Sequence, residues 1–148
     1  MTQTKTLTFK RRFPVAPPRV VKALTDADDR MIWGAPDADM ALLIHDQPDP
    51  APGIRDTARV GPTGTPYVTV LTDWIIIDPA RVTYAETLEA EGAPFATSLA
   101  VFDLSTDGQN TDLLLTVMVA SYAGADVIPQ VESGWTNAIA TLSGHLGA

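Results

Sequence analysis

Two carboxylates and a tyrosine offer the most direct chemistry in this sequence. Strands are expected over 67–77 and 81–89, joined by the turn Asp78-Pro79-Ala80-Arg81. Symmetrical pairing about that turn sets Asp73 opposite Glu86, on the side that also carries Leu71, Ile75, Ile77, Val82, Tyr84 and Leu88. This is the more apolar face and therefore the expected inner one. Two acids opposed on an apolar face repel, so one is expected to keep its proton at neutral pH unless a cation separates them. Arg55 or Arg59, on the preceding expected strand, is the candidate cation. Such a cluster could orient a carbonyl or phenol and act as an acid–base pair. The arrangement depends on register, because a slip of one residue turns both acids to solvent. Proline in the turn also works against a two-residue hairpin, whose favoured forms need positive φ.

A second set is aromatic. Trp33, Tyr84 and Trp135 combine large apolar area with a polar handle, which suits either a mixed-character ligand or an ordinary core. Met118 and Ile139 complete the expected ligand-binding set of Trp33, Arg55, Asp73, Tyr84, Glu86, Met118, Trp135 and Ile139. Other chemistries find little support. His45, beside Asp46, and His145 are the only histidines, and no HxH or HxxxH pair exists, so no metal site is expected. The absence of cysteine excludes disulfide scaffolds, thiolate metal centres and a cysteine nucleophile. No GxSxG elbow occurs, and GPTGTP (61–66) lacks the lysine and helix of a phosphate loop. No cofactor is expected.

The elements that must position these residues follow from periodicity. Leu7, Phe9 and Phe13 alternate along a strand over 5–13. Pro14, Pro17 and Pro18 end it and start a short helix over 18–25. Asp26 is the expected cap of a second short helix that ends near Trp33, before Gly34 and Pro36. Strands are expected over 40–45, 54–60, 67–77, 81–89, 95–104 and 111–121, the last two joined by an Asp107-Gly108 turn. A helix of about twenty residues follows, capped by Asp126, with Val131, Trp135, Ala138, Ile139, Leu142 and Leu146 as its apolar stripe. Gly134 inside that helix implies a close neighbour. No linker or repeat interrupts the 148 residues, so one domain is expected over 1–148. An antiparallel sheet of about seven strands must lay such a helix across one face, an α+β arrangement. If the sheet is strongly curved, a cavity remains between the two.

The net charge of −8 is unevenly distributed. Residues 1–25 hold Lys5, Lys10, Arg11, Arg12, Arg19 and Lys22 and no acid, while no lysine or arginine follows Arg81. The basic segment reads as a strand and helix facing an acidic remainder rather than as a nucleic-acid arm, because the acidic body opposes phosphate. No apolar run is long enough to span a bilayer, and basic residues break any leader-like stretch at the start, so a soluble cytoplasmic protein is expected.

Three segments carry a family resemblance. FPVAPPRVVKALTDADDRMIWGAP (13–36), the hairpin Ile77-Asp78-Pro79-Ala80-Arg81-Val82, and Glu132-Ser133-Gly134-Trp135 opening a leucine-bearing helix occur in this order. Together they resemble the START-like (SRPBCC) helix-grip superfamily, in its branch of the activator of heat-shock-protein ATPase homologues. The resemblance implies a deep, mostly apolar cavity for a lipid-like, aromatic or polyketide-like molecule. It leaves three roles open: a binding module, a polyketide-cyclase-like or hydrolytic enzyme using an acid–arginine cluster, and a chaperone-cofactor-like interaction domain with a vestigial cavity. A cavity below about 100 Å³ would favour the last, against roughly 300–1,000 Å³ for ligand pockets. An open cavity without inward ionisable groups would favour the binding module, and an inward acid with an arginine partner would favour the enzyme. Both alternation classes of 111–121 are apolar, Leu113, Leu115, Val117 and Val119 against Leu114, Met118 and Ala120. That pattern predicts an apolar outer face and a homodimer across it.

Overall fold

Apolar periodicity and proline placement account for the order of elements. In the computed structural model, which describes residues 1–46 and 48–148, β1 (Gln3–Phe13) leads into α1 (Pro17–Thr25) and α2 (Ala27–Trp33). Then come β2 (Met40–Asp46), β3 (Arg55–Pro62), β4 (Val68–Asp78), β5 (Arg81–Ala90), β6 (Ala93–Asp107) and β7 (Asn110–Ser121), and α3 (Val127–His145) closes the fold. Gln47, within the turn expected after 40–45, lies outside the described residues. The strands form one curved antiparallel sheet in the order β1-β7-β6-β5-β4-β3-β2.

Local chemistry explains most boundaries. Pro17 and Pro18 occupy the opening positions of α1, where no intrahelical amide is lost. The Asp26 carboxylate accepts the Asp29 amide at 3.1 Å and so caps α2. Gly108 takes a φ of +63° in the β6–β7 turn, which glycine adopts without strain. The expected Asp126 cap does not form: its backbone is already helical and its side chain makes no capping bond. Pro129, at the third helical position, has no amide for it to accept.

The concave face holds the core. Phe13, Phe102, Leu115 and Val117 meet Val20 and Leu24 of α1 and Ile139 and Leu142 of α3, all fully buried. A smaller cluster of Leu42, Ala58 and Val70 lies at the β2–β4 end. Since α3 packs on α2, β1 and β7, the concave surface between the two clusters stays uncovered. Asp29 fixes the far end of α3. It accepts hydrogen bonds from Lys22 at 2.8 Å and Arg19 at 3.0 Å and lies 2.6 Å from His145 Nε2. Burial alone would raise this carboxyl, but those hydrogen bonds outweigh it and hold the group well below the usual carboxylate range. Lys5 pairs with Glu132, and Arg12 with Asp107 and Asp112, so the basic opening segment meets acids of the later chain.

The β4–β5 register corrects the expected one. Next to the turn the pairing is symmetrical, with Asp78 opposite Arg81, Ile77 opposite Val82 and Ile76 opposite Thr83. Ile75 then bulges outward, 45% exposed, and beyond it Trp74 faces Tyr84, Asp73 faces Ala85 and Thr72 faces Glu86. A bulge adds one residue to one strand only, so β5 keeps its expected inner set while β4 changes faces. Leu71, Ile75 and Asp73 therefore leave the concave side, and Thr72 and Trp74 enter it. Among the described residues, no helix is long and apolar enough to cross a membrane.

Candidate functional site

The uncovered half of the concave face is a cavity of about 560 Å³. Leu42, Val60, Val70 and Leu88 form its floor, Trp33 stands at one end, and Val131, Gly134, Trp135 and Ala138 of α3 form the roof. The close neighbour expected at Gly134 is the Pro36 side chain, which a Cβ there would meet at 3.4 Å, an ordinary contact distance. Aromatic rings run across the concave surface toward the cavity. Trp74 meets Tyr84 edge-on at 5.2 Å, Tyr84 stacks on Phe102 at 5.8 Å, and Phe102 contacts Trp135 at 6.3 Å between centroids. The Trp33 indole donates to the Ala23 carbonyl at 2.7 Å, so it turns only its apolar surface to the cavity.

Beside the floor, on the same concave face, lies a buried ion pair. Arg30 of α2 donates to both Asp56 oxygens, at 2.8 and 3.3 Å, and to the Thr72 hydroxyl at 3.4 Å. The Trp74 indole donates to the same carboxylate at 2.9 Å, and the guanidinium centre lies 5.0 Å from the Trp74 ring centroid. Asp56 is wholly inaccessible, and Arg30 is buried but reaches the cavity wall. Both Asp56 oxygens accept, with three hydrogen bonds in all, which offsets much of the cost of holding two charges away from water.

Glu86 differs in having no such partner. Its side chain lines the cavity, and no described residue donates a hydrogen bond to it. Burial pushes its carboxyl up to about 7, with Arg30 opposing the rise and Asp56 adding to it. Two residues earlier on β5, burial and then the charge of Glu86 push the Tyr84 phenol upward, so it stays a neutral donor near pH 7. A carboxyl that titrates near neutrality beside a phenol can either exchange a proton or hold the polar end of a ligand. Among the described residues, no group of three or more His, Asp or Glu side chains is placed to bind a metal ion.

No protein-family model matches the sequence, and none of the curated proteins does. Solved structures match over nearly the whole chain. The Mll3558 protein of Rhizobium loti superposes with a TM-score of 0.81 at 24% identity, covering 97% of this chain and 98% of that one. The AHSA1 protein of Silicibacter pomeroyi gives 0.76 at 20%, covering 96% and 97%. Ara h 8.0201 gives 0.68 at 18%, covering 97% and 98%. This chain has the START-like helix-grip fold.

Within that helix-grip frame, Trp33, Tyr84, Glu86 and Trp135 come together around the cavity. The other four expected residues lie elsewhere. Arg55 and Asp73 pair with each other on the convex face, at 2.7 and 3.0 Å, because the Ile75 bulge reversed that stretch of β4. Met118 is 43% exposed on the convex face, since it alternates with the inward Val117 and Val119. Ile139 is fully buried in the main core, where α3 lies on the sheet beyond the cavity. Sequence reasoning missed Arg30, Asp56, Thr72 and Trp74. One signal was available: Asp56 falls on the same alternation class as Ala58 and Val60, an acid on an otherwise apolar strand face.

Proposed function

We propose that the protein is a cytoplasmic binding protein for a small hydrophobic molecule carrying one polar end. The apolar body would occupy the space between α3 and β2–β5, and the polar end would meet Glu86 and Tyr84. The observation that carries this reading is a 560 Å³ cavity in which a carboxyl faces the space with no hydrogen-bond donor among the described residues. That volume falls within the range of roughly 300–1,000 Å³ typical of ligand sites, and well above a vestigial gap. Native mass spectrometry of the protein as purified tests it by seeking a retained small molecule. Titration with 1-naphthylmethanol supplies the quantitative version. Trp135→Ala should weaken binding at least about five-fold by removing part of the cavity wall. Trp74→Ala should act chiefly on stability, because its indole lies behind Tyr84 and does not reach the cavity. Unchanged affinity in Trp135→Ala would contradict the assignment of the cavity.

Two observations favour a second, enzymatic reading. The concave face holds an inward acid with an arginine partner, Asp56 with Arg30 at 2.8 Å. A carboxyl near pH 7 has the protonation balance that general acid–base catalysis uses. Here Glu86 would move the proton, with Tyr84 orienting a carbonyl, in a cyclisation, dehydration or hydrolysis of an aromatic or polyketide-like substrate. Arg55 and Asp73 have no part in it. Turnover of such a substrate that Glu86→Gln abolishes would select this reading over passive binding.

The convex face supports a proposal about assembly. Ile75, Leu114 and Met118 are exposed there at 45, 38 and 43%. A second copy would cover this apolar surface, as such patches commonly mark protein contacts. Sedimentation that shows only monomer at high micromolar concentration would remove the dimer.

A further inference from the structure

We propose, resting on the ligand-binding reading above, that the cavity selects hydrophobic amines: an aromatic or aliphatic body bearing an ammonium group seated against Glu86. The charges that face the cavity carry the argument. From α2 comes Arg30, whose charge is matched by Asp56 of β3 and whose donors point at Asp56 and Thr72. The segment after α2 supplies Asp37, and β5 supplies Glu86 and the neutral Tyr84. From α3 come only the uncharged polar residues Gln130, Ser133 and Asn137. Among the described lining residues no lysine is present, and the single arginine is already paired. The formal charges left without a counter-charge are therefore both acids.

An anionic ligand, such as a fatty acid, would set a second carboxylate beside Glu86 in a space that already disfavours one. An ammonium supplies the missing counter-charge together with three donors, against an acceptor that no described residue uses. The rings of Trp33, Tyr67, Tyr84, Phe95 and Trp135 also line the cavity. Their negative faces favour a cation there over an anion. Bringing a cation to Glu86 favours its ionised form. At neutral pH, amine binding therefore releases a proton from the fraction of Glu86 that is protonated in the empty cavity.

The test is isothermal titration calorimetry with three probes that share one aromatic body: 1-naphthylmethylamine, 1-naphthylmethanol and 1-naphthoic acid. At pH 8 the amine should bind at least about ten-fold more tightly than the acid, with the alcohol between them. Between pH 6 and 8 the amine affinity should rise about ten-fold as Glu86 ionises, since an alkylammonium stays charged over that range. The alcohol should not share that rise. Measurements at pH 7 in buffers of different ionisation enthalpy should show proton release with the amine only. In Glu86→Gln, amine and alcohol should bind within about two-fold of each other, with no pH dependence left. Acid binding as tight as amine binding, or an amine preference that survives in Glu86→Gln, overturns the proposal. If the alcohol binds and the amine gains nothing, the selectivity fails while the ligand cavity stands. If none of the three binds, both readings fall together.

Discussion

Two arginine–aspartate pairs sit one residue apart on this sheet and face opposite ways. Arg55 and Asp73 join β3 to β4 on the convex side, with the arginine side chain 55% exposed and the aspartate 37%. Asp56 and Thr72, the next positions on the same two strands, point into the concave side, where Arg30 arrives from α2. Both pairs are bidentate, at 2.7 and 3.0 Å outside and 2.8 and 3.3 Å inside. Matching geometry does not mean matching energy. Water solvates and screens the outer pair, whereas the inner pair was stripped of water and depends on Thr72, Trp74 and its own partner. The inner pair also ties a helix to the sheet at the cavity floor, while the outer one links strands already joined by their backbones.

Breaking the inner pair should give the largest effect. Arg30→Ala leaves Asp56 buried with only the Trp74 indole to accept from, and should cost about 3–5 kcal/mol in denaturant unfolding. Arg30→Lys should recover little, because an ammonium cannot bridge both Asp56 oxygens while lying on the Trp74 face. A loss below about 1 kcal/mol for Arg30→Ala would erase the contrast between the faces.

Glu86 sharpens the comparison with an effect of opposite sign. It stands beside the buried pair, opposite Thr72, yet no described residue forms an ion pair with it. Its folded-state pKa, about 7, lies above the 4.5 of an unperturbed glutamate. Folding is therefore unopposed by this group below about pH 4.5, and the cost of ionising it grows as pH rises toward 7. Glu86→Gln removes that cost. The variant should be more stable than the parent at pH 8, by on the order of 2 kcal/mol, with the advantage shrinking toward pH 5. Thermal unfolding at the two pH values measures it, and a variant destabilised equally at both would show that Glu86 has a structural partner.

How far this site could be read from the chain follows from one residue. On β5 the pairing runs without a shift as far as Leu88, so Val82, Tyr84 and Glu86 point inward as their spacing requires, although Thr83 between them is buried too. The long helix was equally legible: Trp135, Ala138, Ile139 and Leu142 are its buried stripe. On β4 the run Trp74-Ile75-Ile76-Ile77 is apolar on both alternation classes, so nothing in residue type marks where the bulge falls. Placing it at Ile75 exchanged Asp73 for Thr72 and Trp74 on the inner face, and with that exchange the expected acid pair became an acid beside an arginine from elsewhere. Arg30 itself was hidden for a different reason. It lies on a helix of seven residues, too short to establish which side faces the sheet, and its partner is 26 residues away.

The outer pair is where the comparison predicts the least. Arg55→Ala, Asp73→Ala and the double variant form a thermodynamic cycle that isolates the interaction of these two side chains from the rest of their surroundings. Exposed pairs of this kind give about 0.2–1 kcal/mol of coupling, because ordering two long side chains offsets much of the Coulomb gain. Bidentate geometry puts Arg55–Asp73 toward the upper end of that interval. Salt supplies the second criterion. At 1 M the Debye length contracts to about 3 Å, so an exposed pair should lose most of its coupling there. The same cycle run on Arg30 and Asp56 should keep a coupling of several kcal/mol at both ionic strengths, since counter-ions do not reach a carboxylate with no exposed surface. Equal salt sensitivity in the two cycles would mean that water enters the concave side as freely as the convex one, and the Arg30–Asp56 pair would then lose its role as a dry tie between α2 and the sheet beside the cavity.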